Sequence, residues 1–129
     1  MTGSVATAFE RPETANFYES AAEITGKLKP AEPLYLFCPK TLGARARRFT
    51  DHFPGTVSYA VKANPEPRVL DTLAAADLQN FDVASLEEVR QVSVHCPGAT
   101  LHFNNPVKAE EAVAESYLRY GVRSFALDE

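Results

Sequence analysis

Lys62 stands in the run Tyr59-Ala60-Val61-Lys62-Ala63-Asn64-Pro65, at the end of an apolar stretch that reads as a buried strand. Ammonium groups are seldom fully buried unless something pairs with them or they do chemistry. A desolvated lysine loses its proton more readily and becomes an amine nucleophile, the form that condenses with an aldehyde. The alternative is a lysine at a strand's mouth, its stem along apolar surface and its head in water. Other polar residues follow Lys62: Asp82 with Ser85, then Asn104-Asn105, then Asp128. Their spacing is roughly 20–24 residues, the length of one strand–helix unit.

The elements that would position these residues are legible in the pattern. Phe17 to Leu28 predicts a short amphipathic helix, with Phe17, Ala21, Ile24 and Leu28 at helical spacing and Pro30 and Pro33 ending it. Leu34 to Cys38 reads as a strand, and Pro39 to Phe53 as a basic helix with Leu42, Ala46 and Phe49 on one face. A regular alternation follows. Strands are expected over Val57–Ala63, Phe81–Ala84, Thr100–Asn104 and Val122–Leu127. Helices are expected over Pro67–Leu78, Ser85–Val94 and Val107–Tyr120. The first of these turns Val69, Leu70, Leu73 and Ala76 inward. The second opens on Ser85-Leu86-Glu87-Glu88, a capping box. The third has Asn105 as its cap, Pro106 in its first turn and Gly121 as its stop. Its apolar side holds Ala109, Ala112, Val113, Ser116, Tyr117 and Tyr120, with Glu110, Glu111 and Glu115 opposite.

Alternating helices and apolar strands imply an α/β fold of parallel strands covered by helices. The polar strand exits would then share one end. That is the active end of a (β/α)8 barrel and equally the carboxyl edge of a doubly wound sheet. Periodicity does not choose between them.

Composition narrows the function classes. The chain has 129 residues, a net charge of −4, 45% hydrophobic and 23% charged residues, which is ordinary for a globular protein. Apart from Arg45, Arg47 and Arg48 the cations are dispersed, which argues against a nucleic-acid surface. No apolar run reaches 18 residues, so no membrane span is expected. Residues 1–10 show neither a basic start nor an apolar core of signal-peptide length, so the cytoplasm is the expected location. Cys38 and Cys96 are expected to be reduced. His95, Cys96 and His102 match no zinc-ligand spacing, and no metal is expected.

Four segments together resemble a family. They are Tyr59 to Pro65, Phe81-Asp82-Val83-Ala84-Ser85-Leu86-Glu87-Glu88, Asn105-Pro106-Val107-Lys108, and Gly121 to Asp128. In this order and spacing they look like the ornithine/lysine/diaminopimelate/arginine decarboxylases. These are fold-type III pyridoxal-phosphate enzymes with an alanine-racemase-like barrel. The resemblance runs from residue 34 to residue 129. It implies that Lys62 holds pyridoxal phosphate, that Asp82 lines the pocket near that linkage, and that Ala60 is a small residue on the barrel floor. Glu88 matches a glutamate near the pocket, although the capping box accounts for it without any catalytic role. The resemblance also implies an amino-acid substrate, decarboxylation of a basic amino acid in polyamine synthesis, and a homodimer.

The Asn105-Pro106-Val107-Lys108 stretch looks more like the ornithine and lysine decarboxylases than the diaminopimelate enzymes, which remain the runner-up. A whole barrel takes about 250 residues. The expected organisation is therefore a short N-terminal extension over residues 1–33, then a partial pyridoxal-phosphate-binding barrel of about four strand–helix units over residues 34–129. The six glycines are isolated, so no phosphate-binding glycine loop is expected within this stretch. Activity is expected of the full-length parent, and the 129 residues by themselves are expected to be an inactive or incomplete fragment. Three readings follow: the N-terminal part of a decarboxylase, a truncated homologue that binds a full-length subunit, and a remnant without function.

Overall fold

The structure is a computed structural model that describes residues 18–128. The chain divides into two compact units, Met1–Phe37 and Cys38–Glu129.

In the first unit the described part is helix α1, Ala21–Leu28. Ser20 caps it, its Oγ accepting from the Glu23 N–H at 3.1 Å. Glu23 in turn accepts from the Glu19 N–H at 2.7 Å and pairs with Lys27 one turn on. The helix stops at Lys29, whose left-handed φ of 43° precedes Pro30. Phe17, expected on its apolar face, lies outside the described residues. The strand expected over Leu34–Cys38 does not form. An apolar run becomes a strand only beside another backbone that completes its hydrogen bonds. No ladder reaches this run among the described residues, and its side chains are exposed.

The second unit opens with α2, Pro39–His52, whose first-turn proline needs no donor partner. Gly43 and Ala46 are buried and Leu42 packs against the core. Phe49, expected on the same face, is 64% exposed. Four parallel strands follow, β1 Ser58–Ala60, β2 Asn80–Val83, β3 Thr100–Phe103 and β4 Ser124–Phe125, in the spatial order β1-β2-β3-β4. Between them run α3 Pro67–Ala74, α4 Leu86–His95 and α5 Glu110–Tyr120.

The register sorts the side chains into two faces. Tyr59, Phe81 and Leu101 align across the strands, as do Val83, Phe103 and Phe125. These rows pack with Val69, Leu70, Leu73, Val89 and Val92 of the helices into one core. Phe81, Val83, Val89 and Val92 are inaccessible to solvent, and each such side chain stabilises the fold by roughly 1.5–3 kcal/mol. The other face carries Ser58, Asn80 and Thr100, then Ala60, Asp82, His102 and Ser124. The strands are therefore not uniformly apolar; they alternate, with one face polar and half-exposed. Helices on one face and a strand order that never reverses are the arrangement of a barrel. A doubly wound sheet covers both faces and reverses at its switch point. The chain forms part of a (β/α)8 barrel.

Several boundaries differ from the expected ones for identifiable reasons. β1 ends at Ala60, and Val61–Ala63 form a single 3-10 turn. Asn64 enforces this: it precedes a proline, and its side chain accepts from the Glu66 N–H at 3.1 Å. Helix α5 begins at Glu110, not Val107, because Asn105 is engaged elsewhere and caps no helix. Gly121 ends α5 at φ 70°, as expected. None of the helices among the described residues is long and apolar enough to cross a membrane.

Candidate active site

Because all four strands run the same way, their carboxyl ends form one rim. Lys62 follows β1, Asp82 and Val83 end β2, Asn104 and Asn105 follow β3, and Ala126 follows β4. The residues singled out from the sequence therefore converge on one edge of the sheet, through register alone.

Lys62 lies in the 3-10 turn. Val61 points into the core with no accessible surface, and Lys62 turns outward. The expectation of a lysine stripped of water is corrected here. The strand stops three residues early, and the turn that buries Val61 exposes its neighbour. Lys62 makes no hydrogen bond or ion pair among the described residues. Ala60, the last residue of β1, is half-buried and aligns with Asp82, which aligns with His102. Asp82 is half-buried on the polar face and likewise has no partner among the described residues. No ion pair joins it to Lys62 in this arrangement. Beside this row, His102 Nε2 lies 3.1 Å from Asn80 Oδ1, which fixes the imidazole against β2.

Glu88 has a structural assignment. Its backbone N–H donates to Ser85 Oγ at 3.2 Å, and its carboxylate accepts from the Ala84 N–H at 2.8 Å. The box closes on Ala84, one residue before the cap, so two orphan donors at the start of α4 are satisfied. Asn105 braces the same corner from β3: its Nδ2 donates to the Ala84 carbonyl at 3.0 Å while its Oδ1 accepts from the Val107 N–H at 3.3 Å.

Sequence reasoning assigned Lys108 no role. The structure half-buries it, with Nζ donating to the carbonyls of Asn105 and Ala126 and lying 5.5 Å from the centre of the Phe103 ring. This ammonium fastens the loop after β3 to the exit of β4. The available signal was a lysine three residues past a strand-end asparagine, close enough to fold back onto its carbonyl. His102 was weighed only as a metal ligand; strand alternation would have placed it in the Asp82 row. Elsewhere, Tyr59 Oη donates to the Asn64 carbonyl at 3.1 Å, and burial raises its phenol above the ordinary range.

The rim fits one end of a pyridoxal cofactor. It offers a primary amine with no competing partner among the described residues, a small side chain at Ala60 beside it, and a polar sheet face. A phosphate cradle is not among these parts. Gly55, Gly98 and Gly121 each precede a strand, and so sit toward the opposite rim. No cluster of three or more His, Cys, Asp or Glu side chains among the described residues could hold a metal ion.

Comparison with known proteins gives this geometry a context. A lysine/ornithine decarboxylase from Vibrio vulnificus, solved with putrescine, superposes with a TM-score of 0.71 at 28% identity, covering 85% of this chain and 31% of that one. The lysine decarboxylase of Selenomonas ruminantium gives a TM-score of 0.68 at 27% identity, covering 89% of this chain and 30% of that one. SrLDC in complex with PLP and cadaverine gives 0.66 at 28% identity, covering 90% and 31%. The chain thus spans about a third of the length of these solved relatives. No curated protein sequence matches it. The family model of the pyridoxal-dependent decarboxylases, in its pyridoxal binding domain, matches residues 40–129. With that match over most of its length, the chain belongs to the pyridoxal-dependent decarboxylases, enzymes of fold type III whose cofactor is pyridoxal phosphate.

Proposed function

We infer that this chain supplies the lysine-bearing part of an enzyme that decarboxylates a basic amino acid of the ornithine or lysine type. The observation that carries the reading is the place of Lys62. It is an amine without a partner among the described residues, at the carboxyl end of β1, with the Asp82 carboxylate on the next strand of the same rim. The two relatives named as lysine or lysine/ornithine decarboxylases support a basic substrate over diaminopimelate.

Bound at this rim, pyridoxal phosphate supplies an electron sink for the pair left behind when the substrate's α-carboxylate departs as carbon dioxide. The chain's own residues have separate tasks. Lys62 Nζ holds the cofactor through its aldehyde between turnovers. Asp82 orients that nitrogen and biases its protonation. Ala60 leaves room for the ring, and the Asn80–His102 pair keeps the polar face in one conformation. Glu88 acts through the start of α4. The working enzyme is a homodimer in this reading.

The test is to incubate the protein with pyridoxal phosphate, reduce with borohydride and map the labelled peptide. Label is expected on Lys62, and the full-length enzyme that contains this chain is expected to release carbon dioxide from ornithine or lysine in preference to diaminopimelate. Label spread evenly over the surface lysines, and unchanged in Lys62→Ala, would overturn the reading.

A further inference from the structure

Among the described residues, helices cover one face of the sheet, so its other face is the interior of the barrel. Such interiors are filled mostly by bulky branched apolar side chains. Here the last interior row that all four strands share reads Ala60, Asp82, His102 and Ser124. Lys62 follows Ala60 by two residues, so this row lies directly before the amine. A half-buried carboxylate and a half-buried imidazole thus stand side by side at the rim.

Their hydrogen bonds are incomplete in a complementary way. His102 Nε2 lies 3.1 Å from Asn80 Oδ1. An amide oxygen only accepts, so Nε2 is a protonated nitrogen. Nδ1 has no partner among the described residues, and the Asp82 carboxylate has none either. Asp82 is aligned with His102 on the neighbouring strand, and adjacent strands lie about 4.8 Å apart. Asn80 sits on the same face of that strand, two residues or roughly 6.6 Å before Asp82. An imidazole reaching from β3 toward β2 therefore meets the amide oxygen on one side and the carboxylate on the other. Ala60, beyond Asp82 in the row, brings no polar side-chain group; Ser124, beyond His102, brings a hydroxyl. Polar groups withdrawn from water cost stability unless they pair.

We propose that His102 is a positioning residue for Asp82. Its Nε2 stays on Asn80, and its Nδ1–H donates to one oxygen of the Asp82 carboxylate, leaving the other oxygen to face Lys62. The ring then carries a proton on each nitrogen, and a bond between two charged groups is the stronger kind. Asn80 and Asp82 belong to one strand, so the tether fixes the imidazole to the element that carries the acid. The use made of Asp82 at Lys62 rests on the decarboxylase reading. The pair itself does not, because no cofactor takes part in it.

The first measurement uses the cofactor-free protein near neutral pH, with nitrogen-15 in its histidine rings. His102 is assigned by the signals lost in His102→Leu. Protons are expected on both ring nitrogens. Asp82→Asn should move Nδ1 toward the shift of a bare nitrogen and leave Nε2 in place. Signals indifferent to Asp82→Asn, a bare Nε2, or a response to Ser124→Ala in its stead overturn the proposal. The second measurement is the rate at which pyridoxal phosphate becomes trappable on Lys62. Asp82→Asn and His102→Leu should each slow it on the order of tenfold, with the double variant no slower than either. His102→Gln keeps an N–H donor and should recover part of the rate. Leucine suits a barrel interior, and a retained urea midpoint shows that the fold is kept. A wild-type rate in His102→Leu, or losses that multiply in the double variant, overturns the positioning role. If Lys62 takes no label even in the wild type, the decarboxylase reading fails, and the ring signals still decide the pair.

Discussion

Lys62 and Lys108 lie on the same rim and meet opposite fates. Lys62 looked buried from its apolar surroundings, yet it stands in solvent without a partner among the described residues. Lys108 carried no such signal, yet it is half-buried with its ammonium on two carbonyls and over an aromatic ring. Neighbours in sequence did not set the burial of either amine. A 3-10 turn turned Lys62 out, and a loop folding back toward β4 drew Lys108 in. A lysine held by two carbonyls stabilises a corner; a lysine without such ties is available to an aldehyde.

Substituting the two lysines separates these roles. Lys62→Ala should abolish the borohydride-trapped pyridoxal adduct and shift unfolding by less than about 0.5 kcal/mol, as for an exposed site without partners. Peptide mapping and urea titration check both halves. An adduct that survives would break the comparison. Lys108→Met should do the reverse. Trapping at Lys62 persists, and stability falls by about 2 kcal/mol, because two carbonyls lose a charged donor.

The two thiols make a parallel pair. Cys38 is exposed, and its hydrogen bond with Thr41 lowers its pKa; burial, reinforced by Asp71, raises that of Cys96 to about 11. Iodoacetamide should therefore label Cys38 and spare Cys96 in the folded chain. The raised value also has a thermodynamic sign. Between the ordinary thiol range and about pH 11 the unfolded chain has lost the Cys96 proton and the folded chain retains it. Stability should then fall as pH rises through that window, by on the order of 2 kcal/mol. Urea midpoints measured across the window should lose this component in Cys96→Ala. An unchanged pH slope in that variant would show that the thiol is not shielded.

A more modest effect than those of Lys108 and Cys96 belongs to the start of α4. Ser85→Ala removes the acceptor for the Glu88 N–H and should cost about 1 kcal/mol. Glu88→Gln should keep adduct formation at Lys62, since a side-chain amide oxygen can still accept from the Ala84 N–H. Loss of the adduct in that variant would move Glu88 from the helix start into the cofactor site.

The sequence by itself determined the order and kind of the strands and helices over residues 39–128, though not every boundary, and the rim they create. Turn signals, the Ser85 cap and Gly121 act over a few residues, so they survive in the linear record. The spacing of Lys62, Asp82 and Asn105 reflects the fixed length of a strand–helix unit. The family resemblance was legible for the same reason. Tertiary structure decided the rest. It withheld a ladder from Leu34–Cys38, because a strand exists only when another backbone completes it. It made the sheet a barrel segment, since strand order and helix side are relations between distant residues. It left Phe49 uncovered, and it chose which amine meets water. Burial is set by what packs from elsewhere in the chain, and periodicity along one element does not record that.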